Sequence, residues 1–272
     1  MIPLTQVTYS RDTTVAAVRD YYTFLTQMYL DKNLIKEPPK GGWPSITPHS
    51  MRGLGKTKKV ISLLRYLPYI DCPSGDDGPN VLPHCMFADW KGRVEEQENG
   101  FQPDSGASEY ARISSEGIGN YEDVPPHVIG LTWDSEERFC FLLDTELGII
   151  HWVQCDYDMR NHSSRAPIKD NPYDYAPVHE AQTFRDAGTW AIPDFFQVLK
   201  EQYQKLTFLP HSSTRVLDVK AGEHPDDAGK NRLIEGIFRQ HGWPNMRNYR
   251  KDDCLKAIRS ALVEHNYSIA DI

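Results

Sequence analysis

Nowhere do the 272 residues hold an apolar run near eighteen, the length a helix needs to cross a bilayer, so no transmembrane helix and no membrane partner is expected. The first residues lack a basic stretch followed by an apolar segment and a small-residue cleavage site, so no secretory signal is expected either. Cysteine is scarce: Cys72, Cys85, Cys140, Cys155 and Cys254 are five, odd in number and far apart. That usage suits reduced thiols and predicts a cytoplasmic location, with the nucleus as the alternative. Positive charge is also short, with 30 Lys and Arg against 38 Asp and Glu and a formal net charge of -8. Such a chain has no general attraction for phosphate backbones or anionic lipid. Nucleic acid is therefore a disfavoured partner, though Arg52 to Lys59 is locally basic and tRNA stays open.

Cofactor motifs are missing as well. Gly53-Leu-Gly-Lys-Thr57 looks like the end of a phosphate-binding loop, but the required upstream glycine falls on Ser50 and no apolar strand leads in. There is no Gly-x-Gly-x-x-Gly loop, no Gly-x-Ser-x-Gly elbow and no Cys-x-x-Cys pair. Neither a cofactor nor a metal is expected.

What the chain does have is a core. Hydrophobic residues make up 39 % and aromatics 11 %, enough for an interior. The densest apolar block is 126–154. Val128 to Trp133, Phe139 to Leu143 and Ile149 to Gln154 are rich in branched and aromatic residues, and polar turns at Asp134-Ser-Glu-Glu-Arg138 and Asp144-Thr-Glu-Leu-Gly148 separate them. This reads as three antiparallel strands with both faces covered. Helices are predicted over 13–30, with Asp12 or Thr13 as cap, and over 56–66, 193–206, 226–240 and 251–265 from their apolar periodicity. Residues 91–125 and 156–189 read as long loops, and 81–90 as a stretch able to hold a strand. The expectation is one α+β domain: N-terminal helices over 1–70, a mainly antiparallel central sheet within 81–219 flanked by helices, and a C-terminal helical pair within 220–272 packed on the core. Gly42-Trp-Pro44 and Gly242-Trp-Pro244 echo each other without a wider repeat.

The order helix, strands, Leu142-Leu-Asp-Thr-Glu-Leu-Gly148, a further strand at Ile149 to Trp152, then Trp190 to Leu206 with its Asp194-Phe-Phe196, resembles the core of the SUKH superfamily. That group includes fungal cell-wall synthesis regulators and bacterial immunity proteins. The chain is also similar to small fungal proteins through Gly41-Gly-Trp-Pro44, Leu64-Arg-Tyr-Leu-Pro-Tyr69 and His241-Gly-Trp-Pro244. The SUKH resemblance implies a non-catalytic module that binds other proteins beside its sheet. Trp133, Asp144, Trp152 and Trp190 are the candidate binding residues, because tryptophan beside charge is a common interface signature. Glu136, Glu137, Asp144 and Glu146 on consecutive turns would form a negative edge for a partner with a basic face, or simply solvated turns.

The competing reading is an enzyme. Asp134 and Glu137 would divide acid and base roles if burial separated their pKa values. Cys140, His151 and Cys155, on or beside the strands, would form a thiolate–imidazole pair or a zinc site, although a strand cysteine is usually a small hydrophobe. His84 and Cys85 are adjacent and cannot serve one another across a strand. Tyr173, Tyr175 and His179 would line a pocket under the second loop. The enzyme class that stays open is a fungal biosynthetic one, aminoacyl transfer from charged tRNA to a small peptide in the manner of a cyclodipeptide synthase. A basic stripe of Arg52, Lys56, Lys58, Lys59 and Arg65 leading to a deep pocket would be its signature.

Overall fold

The computed structural model describes residues 2–72, 78–133, 138–220 and 227–267, and it is an α+β fold. Helix α1, Arg11–Met28, begins at Ser10, whose hydroxyl accepts the Thr13 amide, so the cap lies just ahead of the expected Asp12 or Thr13. Strand β1, Ile35–Lys36, follows. Helix α2, Lys58–Tyr66, is capped by Thr57, and Pro68 lies just beyond its end. Strand β2, Tyr69–Ile70, returns antiparallel to β1.

The expected loop 91–125 is largely helical. Strand β3, Met86–Phe87, is only two residues long, and Trp90 already opens helix α3, Trp90–Glu95, capped by Asp89. Helix α4, Gly106–Glu116, is capped by Ser105. Its buried side is Ser108, Ala111, Ser115 and Glu116. Small and polar residues on the inward face leave no apolar period for a sequence to display. The cap residues were the local signal, and they sit directly before both helices.

The central sheet is antiparallel with strand order β4-β6-β7-β8. It comprises β4 (Val128–Gly130), β6 (Phe141–Asp144), β7 (Ile149–Trp152) and β8 (Gly188–Ala191). Strand β5, Thr132–Trp133, continues β4 but pairs with β3 instead. The turn before β7 is held by Asp144, whose Oδ1 accepts the Glu146 and Leu147 amides, and by Gly148 at φ 75°.

The expected second loop also holds short helical pieces: α5 (Tyr157–His162, capped by Asp156) and α6 (Val178–Glu180), which runs into a wider turn over Ala181–Arg185. Helix α7, Ile192–Lys205, carries Pro193 in its first turn, where a missing N–H costs nothing. Strands β9 (Phe208–Pro210) and β10 (Val216–Asp218) form a hairpin. Helices α8 (Asp227–Gln240) and α9 (Lys251–Glu264) form the C-terminal pair.

Alternation along the strands gives the sheet two different faces. Ile129, Phe141, Leu143, Ile150, Trp152 and Trp190 join the main buried cluster, which extends from Val15 to Leu262. Helix α7 lies on this face, with Phe195 against Phe141 at 4.8 Å between ring centres, and α1 stacks behind it through Tyr21 and Phe196 at 5.5 Å. One tyrosine of α1, the tyrosine that caps its C-terminal end and one of α7 pin residues 80–81: Tyr21 and Tyr203 both donate to the Val81 carbonyl, and Tyr29 donates to that of Asn80. The Gly-Trp-Pro turns do similar work at two places. Trp43 Nε1 donates to Leu67 O, and Trp243 Nε1 donates to Tyr203 O, docking the C-terminal pair on α7.

Candidate functional site

The opposite face carries a small apolar cluster of Val124, Val128, Cys140, Leu142 and Phe184, and beside it a buried polar network. Register places Leu142, His151 and Thr189 in one row across β6, β7 and β8. Asp144 closes β6 on the same face. Its Oδ2 accepts Arg185 Nη1 at 2.9 Å, while Arg185 Nε donates to Glu180 Oε2 at 2.6 Å. All three side chains are at most 8 % exposed. Thr189 Oγ1 donates to the Ala187 carbonyl at 3.2 Å, so it accepts from His151 Nδ1 at 2.9 Å. A hydroxyl has one proton, and this chain of bonds assigns the neutral Nδ1–H tautomer. The lone pair on Nε2 then faces Arg185 Nη1 at 3.4 Å. Burial first, and the Arg185 charge second, lower the His151 pKa to about 3. His127, partly exposed, lies 3.4 Å from Arg185 Nη2 and 3.6 Å from Asp144 Oδ2, and Tyr175 lies by the guanidinium at 5.9 Å.

None of the described cavities is lined by Asp144, His151, Glu180 or Arg185. The arrangement ties the β6–β7 turn to residues 180–189 and holds two carboxylates around one guanidinium. The negative edge expected across the turns is not assembled as drawn: Asp144 is fully buried on Arg185, and of that set Glu146 alone among the described residues is exposed.

The other expected residues fall as follows. Trp152 and Trp190 are buried in the main core at 3 % and 0 % exposure, with Trp152 Nε1 donating to Arg138 O and Trp190 Nε1 to Arg165 O. Together with Asp144 they are out of reach of a partner while the sheet is closed. Asp134 and Glu137 lie outside the described residues. Both His151 ring nitrogens are engaged on Thr189 and Arg185. The Cys155 thiol is pushed up to about 12, chiefly by burial, the opposite of what a thiolate–imidazole pair requires. Cys140 belongs to the second-face apolar cluster. Among the described residues no three His, Cys, Asp or Glu side chains gather as metal ligands. Tyr173 and His179 are exposed, and Tyr175 is half-buried.

The basic stripe is not assembled either. Arg52 turns to His49 and Gln102, and Arg65 to the Gly41 and Ile46 carbonyls. Lys56 is buried on Glu116. Burial lowers the Lys56 pKa and raises that of Glu116.

Trp133 is the expected binding residue that reaches the surface. It stands half-buried where β5 pairs with β3, and it walls a cleft of about 130 Å³ together with Ile70, Met86, Phe87, Asp89 and Glu96. Around its indole are Trp90 at 6.1 Å, Tyr110 at 6.0 Å and the Arg93 guanidinium at 4.6 Å from the ring centre. Tyr110 is 58 % exposed. Asp89 accepts the Gly92 amide and lines the same cleft, and its pKa is raised, first by burial.

Sequence reasoning missed Arg93, Tyr110, Arg185 and Glu180. All four sit in segments read as loop. A signal for the second-face network did exist: His151 is the one polar residue within the otherwise apolar Ile149–Trp152 strand, and a buried polar group there must find partners. Compared with family profiles, with curated proteins and with solved structures, the chain matches none.

Proposed function

We propose that the chain is a non-catalytic protein-binding module, as its likeness to the SUKH superfamily implies, and that its contact surface is centred on the Trp133 cleft. The observation that carries this reading is the grouping of Trp133, Tyr110 and Arg93 at a surface cleft of about 130 Å³. Tryptophan, tyrosine and arginine are the residue types that dominate binding hot spots. The cleft is smaller than the roughly 300–1,000 Å³ typical of pockets that enclose a small-molecule ligand, and it suits one inserted side chain. The acidic balance of the chain, with Asp71, Asp89 and Glu96 lining the cleft against Lys91 and Arg93, favours a partner with a basic face.

The test compares proteins captured by the wild-type chain with those captured by Arg93→Glu and Trp133→Ala variants, each first shown to be folded. The expected result is a discrete partner lost from both variants, with affinity reduced on the order of tenfold or more per anchor. A partner set unchanged by either substitution, or a small molecule copurifying in its place, would refute the reading.

A further inference from the structure

We propose that the Trp133 cleft takes the side chain of an unmodified lysine of the partner, its ammonium seated on Asp89. The inference rests on the reading of that cleft as the contact surface, and it names what enters. The charged residues lining the cleft are Asp71, Asp89, Glu96, Lys91 and Arg93. All but one are already balanced within the chain. Asp71 meets Lys36 at 3.3 Å, Lys91 meets Glu95 at 2.8 Å, and Arg93 meets Glu96 at 3.4 Å. Asp89 is the lining charge without an ion-pair partner among the described residues. The cleft therefore carries one uncompensated negative charge at a fixed place.

The geometry of Asp89 selects the cation. Its Oδ1 accepts the Gly92 amide at 2.9 Å, which fixes the carboxylate. Its Oδ2 accepts no hydrogen bond among the described residues and is not shut from solvent. One free oxygen suits the point charge of an ammonium. A guanidinium makes its strongest pairs with both oxygens of a carboxylate, and here one is taken. The walls complete the match. Ile70, Met86, Phe87 and Trp133 line the same cleft, and the carbon stem of a lysine packs on such surface while its charged end finds a polar group. The Arg93 guanidinium already lies over the Trp133 ring, so the indole serves as wall and Asp89 as counter-charge. Burial raises the Asp89 pKa, and a carboxylate drawn from water without an ion-pair partner gains from a cation that arrives with a ligand. Acetylation removes the charge of a lysine, so the cleft distinguishes the free side chain from the acetylated one.

The experiment selects binders to the full chain from a random peptide library displayed on phage and keeps those that Trp133→Ala no longer binds. The best of them is synthesised with its basic residue as lysine, arginine, norleucine or acetyl-lysine, and each version is titrated by calorimetry. The lysine peptide is expected to bind most tightly. Norleucine and acetyl-lysine should weaken it about tenfold or more, the worth of one charge-assisted hydrogen bond. Asp89→Asn keeps an oxygen able to cap α3 on the Gly92 amide, so it should fold and bind the lysine and norleucine peptides alike. Asp252→Asn, which removes an exposed carboxylate elsewhere, should bind as wild type and so separates the site from the general attraction of an acidic chain. Selected peptides that depend on Trp133 but tolerate norleucine, or prefer arginine, overturn the lysine inference and leave the contact surface standing. The inference is also overturned if Asp89→Asn keeps the preference for lysine, or if Asp252→Asn weakens binding as much. A library that yields no binder dependent on Trp133 overturns this inference and the contact surface together.

Discussion

Neutral His151 makes the fold acid-sensitive in a way that can be worked through. In the unfolded chain an imidazole takes a proton near pH 6.5. In the folded chain the same ring is buried beside Arg185 and takes one only near pH 3. Between those values the unfolded state binds more protons, so stability is lost as pH falls and is fully present above about pH 6.5. At pH 5 the loss is about 2 kcal/mol by the single-site linkage relation, and by pH 3 it is about 4 kcal/mol, at roughly 1.4 kcal/mol for each pH unit between the two pKa values. A domain typically has about 5–15 kcal/mol in all, so this one ring is a large acid lever. The assay is urea unfolding at pH 8, 6.5 and 5 for the wild type and for His151→Gln, which keeps an amide able to reach Thr189 but does not titrate. The variant is expected to lose about 2 kcal/mol less than wild type between pH 8 and pH 5. Parallel pH dependences for the two proteins, or a His151 resonance titrating near 6.5 in the folded state, would show that the ring is not held neutral by its surroundings.

Other substitutions probe the same physical terms. Arg185→Met strands the Asp144 and Glu180 carboxylates, both buried, and is expected to cost about 3–5 kcal/mol by chemical denaturation. Adding Asp144→Asn and Glu180→Gln to it should recover much of that cost. No buried charge is then left unpaired, and the introduced carboxamide oxygen at the β6–β7 turn can still accept the Glu146 and Leu147 amides. Lys56→Met leaves Glu116 fully buried with Arg112, at 3.4 Å, as its remaining ion-pair partner among the described residues. It should cost about 3 kcal/mol near neutral pH. Because the Glu116 pKa is already raised by burial, the variant's folded state keeps its proton above the unfolded carboxylate range, so its stability falls as pH rises through that window and recovers on acidification. Gly130→Ala would drive a Cβ into the Ser115 carbonyl, far inside van der Waals contact. Helix α4 must then move off β4, at a cost of about 1–3 kcal/mol or more, visible as a lower urea midpoint with slope unchanged.

The way these groups meet explains how much the sequence could disclose. Three strands of the central sheet, β4, β6 and β7, were legible because each carries its own local pattern: branched and aromatic runs bounded by a turn at Asp144 to Gly148 that needs only an aspartate and a glycine; the fourth, β8 at Gly188–Ala191, was not, since it begins within a segment read as loop. Helices α1, α2 and α7 were legible for the same reason, with Val60, Leu63 and Leu64 marking a buried stripe. Helix α4 was not, because its inward face is Ser108, Ala111 and Ser115, with Ser115 against the bare backbone of Gly130. Close packing of small residues brings the helix against the strand but leaves no hydrophobic period.

The second-face network was half legible. Asp144 and His151 stand out as polar residues in apolar strands, yet Arg185, which balances them, lies 41 residues beyond Asp144 in a segment with no periodicity. Only the register of β6, β7 and β8 brings them together, and register is a property of the pairing rather than of any one strand. The same holds for the surface cleft. Trp133 was a candidate from its sequence surroundings, but Arg93 and Tyr110 reach it from α3 and α4, two helices the sequence did not announce. What decides between a binding surface and a buried lock is therefore the face a residue takes: Trp133 and Asp144 were equal candidates, and pairing with β3 left the first at the surface while closure on Arg185 buried the second.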